Sequence, residues 1–254
     1  MPASDATQRF SSRVEKYVRY RPGYPPKVIE LLHRECGLTP SSVVADVASG
    51  TGIFTRLLLG TGCTVLGIEP NTEMRKAGEE FLAGFSNFTS VAGSAEATAL
   101  RDQSVDLATA AQAAHWFDLK QARREFARIL KPRGWAVLIW NERCVDTTPF
   151  LGDYEQLLLT YGTDYQEVRH ERTTAKIQEF FSPAAFQARE FANNQECDYD
   201  GLEGRLLSSS YTPPPDDPKH RPMLEALRQI FDQHQKHGQV TLEYITRVYY
   251  GQLT

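Results

Sequence analysis

The stretch Val43-Val44-Ala45-Asp46-Val47-Ala48-Ser49-Gly50-Thr51-Gly52 decides the fold. An apolar strand here ends beside an acid and runs directly into a glycine-rich turn. Glycine has no Cβ, so the backbone of such a turn can approach a ligand closely. Glu69 follows a second apolar run, 64–68, and its carboxylate can accept two hydrogen bonds from a ribose diol. The pattern predicts a nucleoside site between two neighbouring strands.

The third glycine of a dinucleotide-binding motif is missing from this turn. Counting from Gly50 and Gly52, its position is taken by Thr55, so the G-x-G-x-x-G motif is not encoded. Ala48 precedes the glycines. Because alanine disfavours a positive φ, we expect a negative φ at Ala48 or a slightly altered turn. An ordinary strand–turn–helix corner without a ligand remains an alternative.

Length and charge restrict the class of protein. The 254 residues suit one α/β domain with an insertion, and 41% hydrophobic residues supply a proper core. A net charge of -4 and the lack of a Lys/Arg run argue against a nucleic-acid partner. The N-terminus has neither a basic nor an apolar leader region, and no run of about 18 apolar residues occurs. We therefore expect a soluble cytoplasmic protein without a membrane partner, either monomer or homodimer.

The four cysteines do not suggest a metal site or a disulfide framework. Cys36, Cys63, Cys144 and Cys197 lack C-x-x-C spacing and fall on different predicted elements. We expect reduced, packed thiols and no bound metal.

Apolar runs alternate with amphipathic stretches along the first part of the chain, which predicts a doubly wound parallel sheet. Strands are expected at 43–48, 64–69, 88–92, 105–111 and 135–140, with helices at 53–59, from Asn71 or Thr72, and at 119–130. Beyond Asn141 the alternation lapses. The tyrosine-rich segment 145–182 is expected to be helical and to insert above the sheet after strand five. A sixth strand is expected within 186–197, a helix at 221–237 and a last strand at 240–249.

The stretch from Asp46 to Gly52 resembles motif I of the class I S-adenosylmethionine (SAM) dependent methyltransferases, with Ala48 where a glycine is usual. Five further segments are similar to the same family: Tyr20-Arg21-Pro22-Gly23-Tyr24-Pro25, Glu69-Pro70-Asn71-x-x-Met74, Gly93-Ser94-Ala95-Glu96, 111–118 and Arg128-x-Leu130-Lys131-Pro132-x-Gly134. The first of these resembles the subgroup that contains trans-aconitate methyltransferase and related carboxyl methyltransferases.

This resemblance implies a seven-stranded, mostly parallel, Rossmann-like α/β sheet with a helical cap inserted after strand five. The whole chain would form one domain: an N-terminal lid and helix at 1–42, a SAM-binding core at 43–144, the cap at 145–182 and a C-terminal completion of the sheet at 183–254. The residues expected to contact SAM are Tyr17, Arg21, Asp46, Ala48, Ser49, Gly50, Gly52, Glu69, Pro70, Met74, Ser94, Ala95, Glu96, Ala111, Gln112 and Trp116.

The acceptor side is expected at the carboxyl ends of strands four and five, the usual ligand crevice of open α/β sheets. His115 is the candidate catalytic residue, since a near-neutral imidazole can orient an acceptor or remove its proton. Tyr20, Trp140, Asn141 and Arg143 are the candidate substrate contacts, and Arg143 could bind an anion.

The leading hypothesis is a SAM-dependent methyltransferase that acts on a small, anionic carboxylate by in-line displacement. Such an acceptor is already ionised at pH 7 and needs no base. One alternative is an enzyme that uses His115 as a base on a phenol, amine or carbon acceptor. Another is a non-catalytic SAM-binding protein. A short-chain dehydrogenase is disfavoured by the absence of a Tyr-x-x-x-Lys pair and a third glycine.

The residues of the turn predict which adenosine-containing compound binds. We expect the protein to bind SAM and its product S-adenosylhomocysteine, and not NAD, because Thr55 replaces the glycine of the dinucleotide motif. Titration calorimetry with all three compounds checks this, and NAD binding tighter than either SAM ligand would refute the assignment.

Overall fold

The computed structural model describes residues 19–168 and 173–253. Its strands are β1 Val43–Val47, β2 Thr64–Ile68, β3 Phe88–Val91, β4 Val105–Ala111, β5 Leu130–Arg143, β6 Gln187–Cys197 and β7 Val240–Gly251. They form one sheet in the order β3-β2-β1-β4-β5-β7-β6. The first five strands pair in parallel, whereas β7 runs antiparallel to β5 and β6. The expected seven-stranded, mostly parallel, Rossmann-like α/β sheet is confirmed.

The helices are α1 Lys27–Cys36, α2 Ile53–Leu59, α3 Thr72–Phe81, α4 Leu119–Ile129, α5 Pro149–Tyr161, α6 Tyr165–Val168, α7 Thr173–Phe181, α8 Tyr199–Leu207 and α9 His220–His234. Side-chain caps mark the starts of α3 and α4. Asn71 accepts a hydrogen bond from the backbone of Met74 at 2.9 Å, and Asp118 accepts one from Gln121 at 3.1 Å. No helix among the described residues has the length and apolar character needed to cross a membrane.

Helices cover both faces of the sheet. On one face α4 buries Ala122, Phe126 and Ile129, whose spacing of three to four residues keeps them on one side of the helix. On the other face α1, α2 and the end of α3 pack against alternate residues of β1, β2 and β5. The sheet is therefore buried in its centre, and ligands can reach it only at its edges.

The segment expected to form the cap divides between two places. Ile177, Phe180 and Phe181 of α7 pack into the same core as Phe126, so α7 covers the sheet. By contrast, α5 packs against α8 and α9, which lie between β6 and β7. The cap therefore combines helices from 145–182 and from 183–254, because α5 alone cannot bury its apolar side.

The residues before α1 are fastened to the sheet and to the cap. The carbonyl of Gly23 accepts hydrogen bonds from Asn141 at 3.0 Å and from Asn193 at 2.9 Å. The ring of Tyr20 lies so close to Gly204 of α8 that a Cβ at Gly204 would stand 2.3 Å from it. Only glycine leaves room for this contact, which joins the N-terminal segment to the cap.

The segment from Arg128 to Gly134 that resembles a family signature supports the scaffold. Arg128 binds Glu125 through its Nε atom at 2.8 Å, and this pairing lowers the pKa of Glu125 to about 2. Lys131 donates to both carboxylate oxygens of Asp106 at 2.9 Å. The signature therefore joins the end of α4 to β4 and to the loop before it.

Ala48 adopts a conformation that its sequence position did not predict. Its φ is +56°, so the expectation of a negative φ is wrong. Left-handed backbone costs an L-residue roughly 1–2 kcal/mol. The turn keeps the conformation that a glycine would adopt, and Ala48 bears this strain beside the cleft described below.

We expect Ala48→Gly to raise the free energy of unfolding by roughly 0.5–1 kcal/mol, since relief of strain exceeds the entropy that glycine adds to the unfolded chain. Urea denaturation measures this change. Ala111→Gly is the matched control, because Ala111 is not among the positive-φ residues and should lose stability. Equal losses in both variants would contradict a strained Ala48.

Candidate functional site

A cleft with an empty volume of about 510 Å³ opens at the carboxyl ends of β1, β4 and β5. The N-terminal segment forms one wall through Arg21, Pro22 and Tyr24, and the ring of Tyr24 meets that of Phe54 edge-on at 5.1 Å. Eight of the residues predicted from the sequence line this cleft: Arg21, Asp46, Ala48, Ser49, Gly50, Ala111, Gln112 and Asn141.

The buried carboxylate of Asp46 belongs to this cleft. It accepts hydrogen bonds from the hydroxyls of Thr55 at 2.6 Å and Thr109 at 2.9 Å, and it is 1% exposed. Burial raises the pKa of Asp46 to about 6, although the two hydroxyls act in the opposite direction. Thr55, at the position of the missing third glycine, therefore holds the acid at the end of β1.

Glu69 holds the glycine turn rather than standing free at a strand tip. Its two oxygens accept hydrogen bonds from the backbone of Gly50 at 2.9 Å and of Asn71 at 2.8 Å. The side chain is buried, and burial raises the pKa of Glu69 against the lowering effect of these amides. Each carboxylate oxygen has a second lone pair, so a diol could still bind.

At the cleft, the hydroxyl oxygen of Thr51 and the side-chain oxygen of Gln112 are buried and have no hydrogen-bond partner among the described residues. The amide nitrogen of Gln112 donates to the backbone of Asn141 at 3.1 Å, which fixes the direction of the side chain. Buried polar atoms are normally satisfied. Their presence here fits a ligand that supplies polar groups.

The remaining predicted cofactor residues among those described do not line this cleft. They are Gly52, Glu69, Pro70, Met74, Ser94, Ala95, Glu96 and Trp116. Most of them follow β2, β3 and β4 at the same edge of the sheet. Gly52 has a packing role, since a Cβ there would lie 2.7 Å from Leu82. Tyr17 lies outside the described residues.

The chain continues from β4 into a short 3₁₀ turn, Ala114–Trp116, that carries His115. The rings of His115 and Trp116 are 4.7 Å apart, and the backbone carbonyl of His115 accepts a hydrogen bond from Lys176 of α7. His115 is half-buried and follows the cleft residue Gln112 by three positions, without lining the cleft itself.

The structure separates the four residues expected to contact the acceptor. Trp140 is 1% exposed and packs in the core against Tyr249, because its side chain faces α4 and α7. Arg143 is ion-paired with Glu155 and also donates to Tyr165 at 2.9 Å. Asn141 reaches the cleft but fastens Gly23, and Tyr20 packs on Gly204. Trp140 thus packs in the core and Arg143 pairs with an acid, so neither lines the cleft.

Sequence reasoning missed Thr51, Ile53 and Phe54 among the lining residues. Thr51 stands between the two glycines, and its position was the available signal. Ile53 and Phe54 open α2, and apolar residues at the start of a helix carry no signal that separates a cleft wall from the core.

Comparison with known proteins agrees with this geometry. Residues 45–138 match the family model described as a methyltransferase domain. An uncharacterized methyltransferase-like protein of Schizosaccharomyces pombe is 33% identical over 156 residues, which cover 61% of this chain and 59% of the relative. An uncharacterized methyltransferase of Mycobacterium bovis is 37% identical over 141 residues, covering 55% and 54%. The chain thus spans little more than half the length of these relatives.

A solved structure gives the likeness in fold. A chain from Anaeromyxobacter dehalogenans, provisionally assigned as a type II methyltransferase, superposes with a TM-score of 0.68 over 92% of this chain and 98% of its own. At 20% identity this agreement concerns the fold alone.

Residues 45–138 therefore form a methyltransferase domain on the α/β sheet described above, and the resemblance recognised from the motifs is confirmed for this segment. The trans-aconitate subgroup stays a prediction.

The raised pKa of Asp46 predicts a pH dependence of stability. The folded state holds a proton on Asp46 up to about pH 6, whereas the unfolded chain releases it near its ordinary value of 3.8. The contribution of this proton to the free energy of unfolding is therefore complete below about pH 4, and it is lost as the pH rises through about 6. Asp46→Asn, which cannot ionise, should gain roughly 2–3 kcal/mol of unfolding free energy relative to wild type between pH 4 and 7.

Denaturant titrations of both proteins across this pH range measure the difference. Asp106→Asn serves as the control, since Asp106 is a third exposed and pairs with Lys131. A constant difference between wild type and Asp46→Asn at all pH values would contradict the assignment.

Proposed function

We propose that this chain transfers a methyl group from SAM to a small anionic acceptor that carries a carboxylate. The observation that carries the proposal is the cleft itself. At the carboxyl ends of parallel strands, it brings together the buried acid Asp46 and the polar atoms of Thr51 and Gln112 that have no partner among the described residues. These features suit a ligand that is cationic at one end and rich in polar groups.

Different residues of the cleft would bind different parts of SAM. Asp46 would lie near the cationic methionine end, where its negative charge stabilises the bound positive charge. Arg21 would reach the methionine carboxylate, with which a guanidinium forms charge-assisted hydrogen bonds. Beyond Gly50, Glu69 would accept hydrogen bonds from the ribose hydroxyls and retain those from the two backbone amides. Met74, whose Cε atom would lie 3.4 Å from a Cβ at Gly50, and Ala95 would flank the adenine.

The acceptor side needs little chemistry from the protein. When bound, SAM supplies an electrophilic methyl group, and its transfer to a carboxylate forms a C–O bond, returns the C–S electron pair to sulfur and releases no proton. The chain contributes position and exclusion of water. Pro22, Tyr24 and Phe54 cover the cleft, and the hydrogen bonds of Asn141 and Asn193 to Gly23 hold that cover in place.

We further propose that the chain, 1–254, acts as one domain in which the cap bounds the acceptor side. The interlock of α5 with α8 and α9, and of Tyr20 with Gly204, supports this arrangement. A small molecule suits an acceptor site bounded in this way.

His115 distinguishes the acceptor chemistries. With a carboxylate acceptor, His115→Gln should change KM or lower kcat modestly. At saturating SAM the rate should stay level above about pH 7, where Asp46 is already ionised, because no proton must leave. A phenol or amine acceptor would instead make the same change cost roughly 10²–10⁴-fold in rate and remove a titration near the histidine pKa. Initial rates of wild type and His115→Gln between pH 5 and pH 9 decide this. His33→Gln provides the control, since His33 lies on α1 and does not line the cleft.

A further inference from the structure

Arg205, on α8 of the cap, is a buried cation whose hydrogen-bond partners are neutral. The residue is only 7% exposed. Its Nη1 atom donates to the hydroxyl of Ser209 at 2.8 Å, and its Nε atom donates to the hydroxyl of Tyr244 at 3.3 Å. Its Nη2 atom, with two N–H donors, makes no hydrogen bond with a described residue. A guanidinium in this position is costly unless an anion accompanies it.

No carboxylate of the described residues accompanies Arg205. The groups that act on it electrostatically are the phenols of Tyr244, Tyr211 and Tyr154. The nearby acid Glu155 serves another guanidinium, since it pairs with Arg143 and accepts a hydrogen bond from Tyr165 at 2.6 Å. Arg143 also lies over the ring of Tyr154, 5.0 Å from its centroid. Of these two buried arginines, Arg143 is paired with a carboxylate and Arg205 is not.

The cluster around Arg205 adjoins the cleft. Arg21, which lines the cleft, donates from Nη2 to the backbone carbonyl of Ser208 at 2.8 Å, one helical turn from Arg205. The ring of Tyr20 packs on Gly204, the neighbour of Arg205. Burial by itself raises the pKa of Tyr211, but Arg205, a hydrogen bond with Ser209, Arg21 and Arg143 together lower it below the ordinary phenol value. Three guanidinium groups therefore act on this one phenol.

We infer that Arg205 is the residue that recognises the anionic group of the methyl acceptor. The two free N–H donors on Nη2 can bind a carboxylate, and the negative charge would compensate the buried cation. Tyr154, Tyr211 and Tyr244 would flank the organic part of the acceptor. This inference rests on the proposed function, and it moves anion recognition from Arg143, which Glu155 neutralises, to α8.

The test compares each of three carboxylates with its neutral amide: benzoate with benzamide, phenylacetate with phenylacetamide and hexanoate with hexanamide. Calorimetry measures binding to the full chain, with and without S-adenosylhomocysteine. We expect wild type to bind at least one carboxylate about 10-fold or more tightly than its amide. Arg205→Gln should reduce this preference to within about twofold, while leaving the affinity for S-adenosylhomocysteine unchanged.

Arg221→Gln is the matched control, since Arg221 is on the same cap but 88% exposed and should keep the full preference. If Arg205→Gln does not fold, Arg205→Lys decides the matter. It keeps the charge but loses the planar fork, so the preference should fall at least about threefold. The inference is overturned if no carboxylate exceeds its amide in wild type, or if the Arg205 variants keep the preference. Failure of wild type to bind S-adenosylhomocysteine would instead contradict the proposed function.

Discussion

The buried carboxylate at the end of β1 is the constraint on which the site depends. Asp46 has left water, and two threonine hydroxyls replace only part of its hydration, so its pKa remains raised to about 6. The sheet thereby holds an acid whose charged form is incompletely stabilised, next to an open cleft. A positively charged ligand would complete that stabilisation. Under the proposed function, the residue whose burial lowers the stability of the protein is the one that would attract SAM.

A second carboxylate positions the turn in front of Asp46. Glu69 joins the backbone of Gly50 to the backbone of Asn71, so the corner after β2 fixes the turn after β1. This connection explains why a left-handed Ala48 is tolerated, because the surrounding hydrogen bonds leave the turn little freedom. Rigid placement of a turn is what a close-fitting nucleoside site requires.

The sheet and the residues of the turn could be predicted from the sequence, since both depend on local patterns. The apolar runs predicted the bounds of β1 and β2 to within one residue, and Asn71 was an identifiable helix cap. The features that the sequence did not predict depend on contacts between distant residues. Arg143 follows a strand end and appeared free to bind an anion, but Glu155 on the next helix neutralises it. The contact of Tyr20 with Gly204 and the division of 145–182 between cap and sheet have no local signature.

The number of protons released when SAM binds tests most directly whether Asp46 accompanies the cationic end of the ligand. At pH 6, close to the pKa of Asp46, about half of the protein carries a proton on this acid. A cation bound beside Asp46 lowers that pKa, so SAM should release up to roughly half a proton per site. Calorimetry in buffers of different ionisation enthalpy measures this number. We expect proton release by wild type at pH 6 and none from Asp46→Asn. Equal proton release by the two proteins would contradict a cation bound beside Asp46.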